Sequence, residues 1–470
     1  MTDDDILHEE CGIFGIYGDV RAAEFTFLGL HALQHRGQES SGMTVSDGKH
    51  LVSHRAMGLV KEAYDDGESI KGLKGHMAIG HNRYSTTGAS NVFNIQPFEV
   101  NYKRGQLATA HNGNLTNTSA LRNAMEEVGS IFRTTSDSEL VLHLIARSAE
   151  GSLPEMIADA LGNVEGAYSI VFLSNSQLIG VRDPRGFRPL CLGRIGEAFV
   201  LSSETCAFDI VDAEYIREVE PGEVVVIDEN GITSHFPFKK ETPAACIFEY
   251  IYFARPDSKV YGENADKFRR RFGRQLADEH PVEADIVVAV PDSANTAGLG
   301  YSERSGVRYE IGLIRNHYVG RSFIDPNQSM REFKVKLKYN PVRGVIEGQR
   351  VILVDDSIVR GTTLSSLIRL LRHAGAKEVH VRVSSPPIKH PCFYGIDMQT
   401  SGELIAAKNG NKIEKIRTIL GADTLGYLSI EGMVKIAKEY ARDDAGYCTA
   451  CFSGEYPVVP EDALNKLVLE

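Results

Sequence analysis

Residues 350–375, RVILVDDSIVRGTTLSSLIRLLRHAG, constrain the fold more than any other stretch of the chain. Four consecutive apolar residues, 351–354, read as a strand buried on both faces, as in a parallel sheet. A short loop containing Gly361 then runs directly into a helical stretch, 362–373. DIVVAV (285–290) and EVHVRV (378–383) repeat the strand pattern, and helical stretches alternate with all three. From about residue 265 the chain therefore reads as an α/β domain with a parallel sheet. Ligands of such sheets bind outside the carboxyl ends of strands, and phosphates bind at helix N-termini. Ser357, Ile358, Val359, Arg360, Gly361, Thr362 and Thr363 are thus expected to cradle a phosphate with backbone amides and hydroxyls. Asp355 and Asp356, at the strand's end, would face ribose hydroxyls and a hard cation such as Mg2+. Two aspartates alone could simply cap a helix; the whole string favours the phosphate site.

The first half has a different rhythm. CGIFGIYG, MAIGHNRYS, LATAHNGNL, AYSIVFLS and EVVVIDENG read as short strands, interrupted by amphipathic helices at about 22–35 and 136–149. This is an α+β pattern. At 470 residues the chain exceeds one hydrophobic core. We divide it into 1–10, a first domain over 11–240, and a second over 241–470 that ends in a helical tail. The net charge of −12 argues against a nucleic-acid or anionic-membrane surface as the main partner. No apolar run approaches the ~18 residues that span a bilayer. MTDDDILHEE (1–10) is acidic and lacks the apolar core of a secretory signal, so a cytoplasmic protein is expected.

A lone cysteine near a strand, such as Cys11, is usually a small buried hydrophobe. Three further segments change that reading: HNRYSTTG (81–88), HNGNL (111–115) and TTSDSE (134–139), expected in loops or at strand ends. Arg83 offers a fork of donors for an α-carboxylate, and Asp137 a carboxylate for an α-ammonium. Asn112 and the Gly113 N–H suit a tetrahedral oxyanion. A general base is not evident, because no spacing singles out His31, His35, His54, His81 or His111. Together with LGLHALQHRGQESSGM, these segments resemble the class II, N-terminal-nucleophile glutamine amidotransferases, which have a layered αββα fold. The resemblance implies that 1–10 is a propeptide, removed so that the α-amine of Cys11 becomes the base. An α-amine, pKa ~8, can take a proton from a thiol, ~8.5, near neutrality. Arg36, in QHRGQES, matches the family motif, with a structural ion pair an equal alternative.

The 350–375 stretch resembles the phosphoribosyl pyrophosphate (PRPP) signature of type I phosphoribosyltransferases, and AVPDSANTAG (289–298) their pyrophosphate loop. The resemblance places Ser293 with Asp355 and Asp356 at Mg2+. It also gives the polar segment 315–343 the role of a loop that closes over PRPP, with Arg321, Arg331, Lys334, Lys336 and Lys338 as pyrophosphate contacts. The two halves in this order resemble the glutamine phosphoribosylpyrophosphate amidotransferases. That implies conversion of PRPP, glutamine and water to 5-phosphoribosylamine, glutamate and pyrophosphate, opening purine synthesis. It further implies an ammonia channel near Tyr84, feedback inhibition by purine nucleotides, and a homo-oligomer, dimer or tetramer. The rivals are another class II amidotransferase, which should lack VILVDDSIVRGTT, and a PRPP-sensing paralogue, which should show damaged sites.

Seven cysteines, an odd number, make a poor disulfide framework. Some members of the family hold a [4Fe–4S] cluster, and Cys246, Cys392, Cys448 and Cys451 stand at the matching places; by ligand type alone, tetrahedral zinc is the alternative. Cys191 and Cys206 are expected to be structural.

Overall fold

The computed structural model describes residues 11–65, 67–84, 91–316, 335, 337–398, 400–440 and 446–459. In the first half two antiparallel sheets stack face to face. One has seven strands and places Gly12–Tyr17 between Ala198–Ser202 and Met77–Arg83. The other has six, with Gly105–Leu115 between Phe98–Tyr102 and Gly166–Ser174. Period-2 alternation sends Ile13, Ile79, Ala108, Ala110, Val171 and Leu201 into the layer between the sheets. The helix Ala22–Ala32 covers the outer face of the first sheet. Asp137–Arg147 and Leu153–Leu161 cover the second. The result is the expected αββα layering.

Besides short helical turns, the sequence reading missed two longer helices in this half, Thr118–Glu127 and Leu153–Leu161. The second carries a legible start signal. Ser152 caps it and accepts from the Glu155 N–H, while Glu155 reaches back to the Ser152 N–H, with Pro154 in the first turn. Of the two expected helices, the first begins at its bound and ends three residues early, and the second begins one and ends two residues inside its bounds.

The second half centres on a parallel sheet in the order Ile286–Ala289, Arg350–Asp355, Glu378–Val383, Thr424–Tyr427. Alternate residues of the 350–355 strand feed two cores. Val351 and Leu353 pack with Leu364, Leu367 and Leu371 of the helix Thr362–His373. Ile352 and Val354 pack with Phe268, Phe272 and Met433 on the other face. Both faces are covered, which explains the unbroken apolar run.

The halves meet around Ala245–Cys246, which pairs in parallel with Tyr447–Cys448, and around the short π-helix Glu249–Phe253. Glu249 is fully buried there and accepts from Arg36 through both oxygens, at 2.7 and 3.0 Å. Arg36 also donates to Glu204. Removing a guanidinium from two buried carboxylates leaves their charge uncompensated. Arg36→Met should therefore lower the unfolding free energy by about 3–5 kcal/mol, read as a lower urea midpoint; an unchanged midpoint would show that the contact is dispensable.

Candidate active sites

Cys11 lies just before the strand Gly12–Tyr17, whose pairing puts Gly12 opposite Asn82, so Cys11 and Arg83 share one end of the sheet. The Cys11 thiol donates to the Tyr84 carbonyl at 3.4 Å. Burial pushes the thiol up to about 11, against the opposing pull of the Tyr84 contact and the Arg83 charge. At neutral pH the sulfur is therefore protonated and needs a base. Among the described residues no histidine hydrogen-bonds to it. His81 meets the His111 carbonyl, His54 the Ala63 carbonyl, and His35 binds Glu204.

The contact between His81 Nε2 and His111 O, 3.0 Å, joins the ends of strands from opposite sheets and brings Arg83 and Asn112 to one place. HNGNL forms the last five residues of the 105–115 strand. TTSDSE runs from the loop into the expected second helix: Ser136 caps it and Asp137 is its first residue. Asp137 accepts from the Leu115 N–H at 3.1 Å and from Ser138 Oγ at 3.1 Å, with His111 Nδ1 3.6 Å away. Burial would raise this carboxyl, but His111 and the donated hydrogen bonds hold it below its ordinary value. It is an anion poised for a cation. Arg83 is buried, with Glu39 3.9 Å away.

Asn112 is wholly buried, and neither its amide nitrogen nor its oxygen has a hydrogen-bond partner among the described residues. Buried amides are nearly always paired, so this orphan marks a place for a ligand's polar atoms. Gly113, at φ +145°, could not be anything else: a Cβ would stand 2.0 Å from the Ala167 carbonyl oxygen.

In the second half the 350–355 strand delivers the carboxylates to the sheet's carboxyl edge. Ser293 Oγ, from the loop after Ile286–Ala289, donates to Asp356, as does Ser357 Oγ at 2.6 Å. Burial raises both carboxyls, and their mutual repulsion lifts Asp355 furthest. Two adjacent carboxylates, Asp356 buried and Asp355 half-buried, with only neutral donors hydrogen-bonded to them, suit a hard divalent cation. Gly361, at φ +82°, turns the chain into the helix Thr362–His373. Behind the loop, Ile405 N donates to Val359 O and Arg360 pairs with Glu403 at 3.0 Å. Arg315 reaches Asp292 at 3.0 Å, tying the start of the 315–343 segment to the loop holding Ser293. Lys338 lies over the Tyr339 ring. Arg321, Arg331, Lys334 and Lys336, like residues 1–10, lie outside the described residues.

Cys246, Cys392, Cys448 and Cys451 line one cavity, with Phe187, Phe248, Tyr394 and Tyr456. All four are free thiols. Among the described residues, the group of three ligand atoms that closes to within 4.8 Å is His35, Glu204 and Cys206; no three of the four thiols close that tightly. A zinc tetrahedron, with Zn–S near 2.3 Å, needs sulfurs about 3.8 Å apart. The His35 group offers no vacancy, since Glu204 already accepts from His35, Arg36, Ser258 Oγ and the Arg255 N–H. Cys191 and Cys206 sit in the core beneath the helix Ala22–Ala32, as expected of structural cysteines.

Sequence reasoning missed Arg188. It is fully buried, donates to the Tyr394 carbonyl through Nε at 3.0 Å, and lies 3.7 Å from Glu249. Its only local signal is the basic, turn-rich RDPRGFRPL. For Arg36 the ion-pair alternative describes the contacts; it also donates to the Cys11 carbonyl at 3.4 Å.

Comparison with known proteins adds a second line. A model of the glutamine amidotransferase domain matches residues 81–209, and one of the phosphoribosyl transferase domain matches 279–386. The chain is 49% identical over 453 residues to the amidophosphoribosyltransferase of Bacillus subtilis (strain 168), covering 96% of this chain and 94% of the relative. It is 52% identical over 466 residues to the chloroplastic amidophosphoribosyltransferase 1 of Arabidopsis thaliana, covering 99% and 81%. A solved structure described as the allosteric regulatory enzyme of purine biosynthesis superposes with TM-score 0.93 at 48% identity, over 98% of this chain and 99% of that one. The B. subtilis glutamine PRPP amidotransferase in complex with ADP and GMP gives 0.92 at 47%, over 98% and 100%.

The carboxylate pair yields a test independent of turnover. Mg2+ should raise the thermal midpoint of the wild-type chain. Asp355→Asn should raise the midpoint in metal-free buffer, by removing repulsion, and should abolish the Mg2+ increment. An undiminished increment in the variant would place the cation elsewhere.

Proposed function

The chain belongs to the amidophosphoribosyltransferase family, and from that premise we propose how its own residues divide the reaction. It transfers ammonia from glutamine to C1 of PRPP, giving 5-phosphoribosylamine, glutamate and pyrophosphate, the first step of purine synthesis. We assign residues 11–240 to ammonia release and 241–470 to its addition.

Arg83 binds the glutamine carboxylate and Asp137 its ammonium. The Cys11 sulfur attacks the side-chain carbonyl, and the oxyanion falls to Asn112 and the Gly113 N–H. The observation that carries this reading is the buried, unpartnered Asn112 amide, joined through His111 to the neighbourhood of Asp137. A thiol raised by burial cannot ionise unaided at neutral pH. Removal of residues 1–10 supplies the base, because the α-amine of Cys11 is then free beside its own sulfur.

At the second site residues 357–363 hold the 5′-phosphate, and Lys336 contacts pyrophosphate from the 315–343 loop. Mg2+ held by Asp355, Asp356 and Ser293 would offset charge on the departing pyrophosphate. The loop closes to exclude water, and Tyr84, beside Cys11, lies where ammonia leaves the first site.

Cys246, Cys392, Cys448 and Cys451 fit a [4Fe–4S] cluster by thiolate count and the largely apolar lining of their cavity. Bound there, it would be a structural, oxygen-sensitive tie. The nucleotides in the related B. subtilis structure support feedback by purine nucleotides, which share ribose 5-phosphate with PRPP. No helix among the described residues is long and apolar enough to cross a membrane. A cytoplasmic homotetramer completes the reading.

Cys11→Ala should abolish glutamine-dependent pyrophosphate release from PRPP and retain the ammonia-dependent reaction. Loss of both would contradict two separate sites. Intact mass should show a chain starting at Cys11, and anaerobic analysis about four irons per chain; a retained 1–10 segment would remove the proposed base.

A further inference from the structure

The oxyanion strand is held on one side by its sheet and on the other by the opposite half of the chain. Residues 110–115 pair with 166–171, but the strand on the other side, Phe98–Tyr102, ends its pairing at Thr109. Where that neighbour stops, segment 392–398 arrives. Asn114 Nδ2 donates to the Phe393 carbonyl at 3.0 Å across 279 residues of sequence. Gly395, at φ +110°, packs against Gly113 so closely that a Cβ would lie 3.2 Å from the Gly113 carbonyl carbon and 3.4 Å from its Cα. Two glycines of positive φ thus meet backbone to backbone.

The segment is itself firmly tied. Cys392 N–H donates to Met398 O at 2.9 Å, closing the turn, and Tyr394 N–H donates to Cys392 Sγ at 3.3 Å. The buried Arg188 guanidinium holds the Tyr394 carbonyl from the first half. A rigid turn of the second domain therefore sets the position of Gly113 and Asn114 in the first.

We propose that segment 392–398 is a positioning element for glutamine hydrolysis, with Asn114 and Gly395 as its positioning residues. It fixes the backbone that carries the oxyanion donors and touches no reacting atom. The inference rests on the reading of Asn112 and Gly113 as those donors. Such donors act only within hydrogen-bond reach of the oxyanion, and a misplacement near 1 Å costs about 100-fold in rate. The transition state gains from them more than the bound substrate does, so loosening them should lower kcat and spare KM.

The test uses the mature chain, from Cys11 onward, with both halves present. Asn114→Ala and Asn114→Asp both remove the donor to Phe393, the second with little change of volume; Gly395→Ala presses on Gly113. Each should lower kcat for glutamine by about 10- to 100-fold. KM for glutamine, ammonia-dependent synthesis and the rate of Cys11 alkylation by iodoacetamide should each stay within about twofold. Should Gly395→Ala fail to fold, Asn114→Asp carries the test alone. Unchanged kcat in the Asn114 variants overturns the proposal. So does a parallel fall in ammonia-dependent synthesis or alkylation, which would mean general loosening. Asn112→Ala separates the two claims: if it keeps wild-type kcat, the oxyanion reading itself fails. If it loses activity while the positioning variants do not, only the positioning role fails.

Discussion

Everything at the junction of the two halves depends on a run of buried charge, Glu204–Arg36–Glu249–Arg188. Each of the four side chains is almost entirely hidden from water. Isolated, any of them would cost several kcal/mol to bury. Alternating signs and shared hydrogen bonds make the arrangement tolerable. Arg36 spans Glu204 and Glu249, and Arg188 lies between Glu249 and the Tyr394 carbonyl. Burial would raise the Glu204 carboxyl, yet His35, Arg36 and hydrogen bonds hold it well below the ordinary carboxylate range. Its stabilisation is thus fully present above the unfolded pKa of ~4.3 and is lost as pH falls toward the depressed folded value. The same run reaches Cys11, because Arg36 Nε donates to its carbonyl. The first residue of the proposed mature chain is therefore anchored by charges that only the second half completes.

Above that junction each half places its site by its own rule. In the sandwich, the ends of strands from two sheets meet at the His81–His111 contact, which gathers Arg83, Asn112 and Asp137 from three separate elements. In the parallel sheet, the carboxyl edge gathers Ser293 and Asp356 from neighbouring strands. The chemistry follows the topology. An antiparallel sandwich can enclose a small amide between its sheets, whereas a parallel sheet offers helix N-termini and loops to phosphates.

Local signals made much of this legible. The 351–354 run, the carboxylates and Gly361 lie within a dozen residues, so one window of sequence holds strand, carboxylate pair and helix start. The four cavity cysteines were legible through family resemblance, although spacing alone could not assemble them. Two kinds of feature were not readable. Helix Thr118–Glu127 has no side-chain cap and buries only Thr118 and Met125, so neither a start signal nor a broad apolar face announces it. The contacts of Arg188 with Tyr394, and of Asn114 with Phe393, join residues more than 200 apart. Such pairings leave no periodic trace, because a buried arginine in a turn-rich segment reads the same as a solvated one.

The junction also shows why polar and apolar contacts divide the work between them. Phe187 of the first half stacks on Tyr394 of the second, with centroids 4.3 Å apart, and Ala167, Ala244, Cys448 and Ala450 complete the patch. An aromatic pair adds about 0.5–1.5 kcal/mol beyond its buried area, and it tolerates sliding because a ring face is broad. A hydrogen bond from a buried guanidinium to a carbonyl is of similar size, about 1.5–3 kcal/mol, but it fails within a fraction of an ångström. The apolar patch can therefore hold the halves together without fixing their register. Arg188 to Tyr394, Asn114 to Phe393 and Gly113 against Gly395 supply the register, and all three fall on one turn that begins at a cavity cysteine. A group seated among the four thiols would stiffen that turn at its origin, and Gly395, three residues further along it, packs on Gly113 of the 105–115 strand.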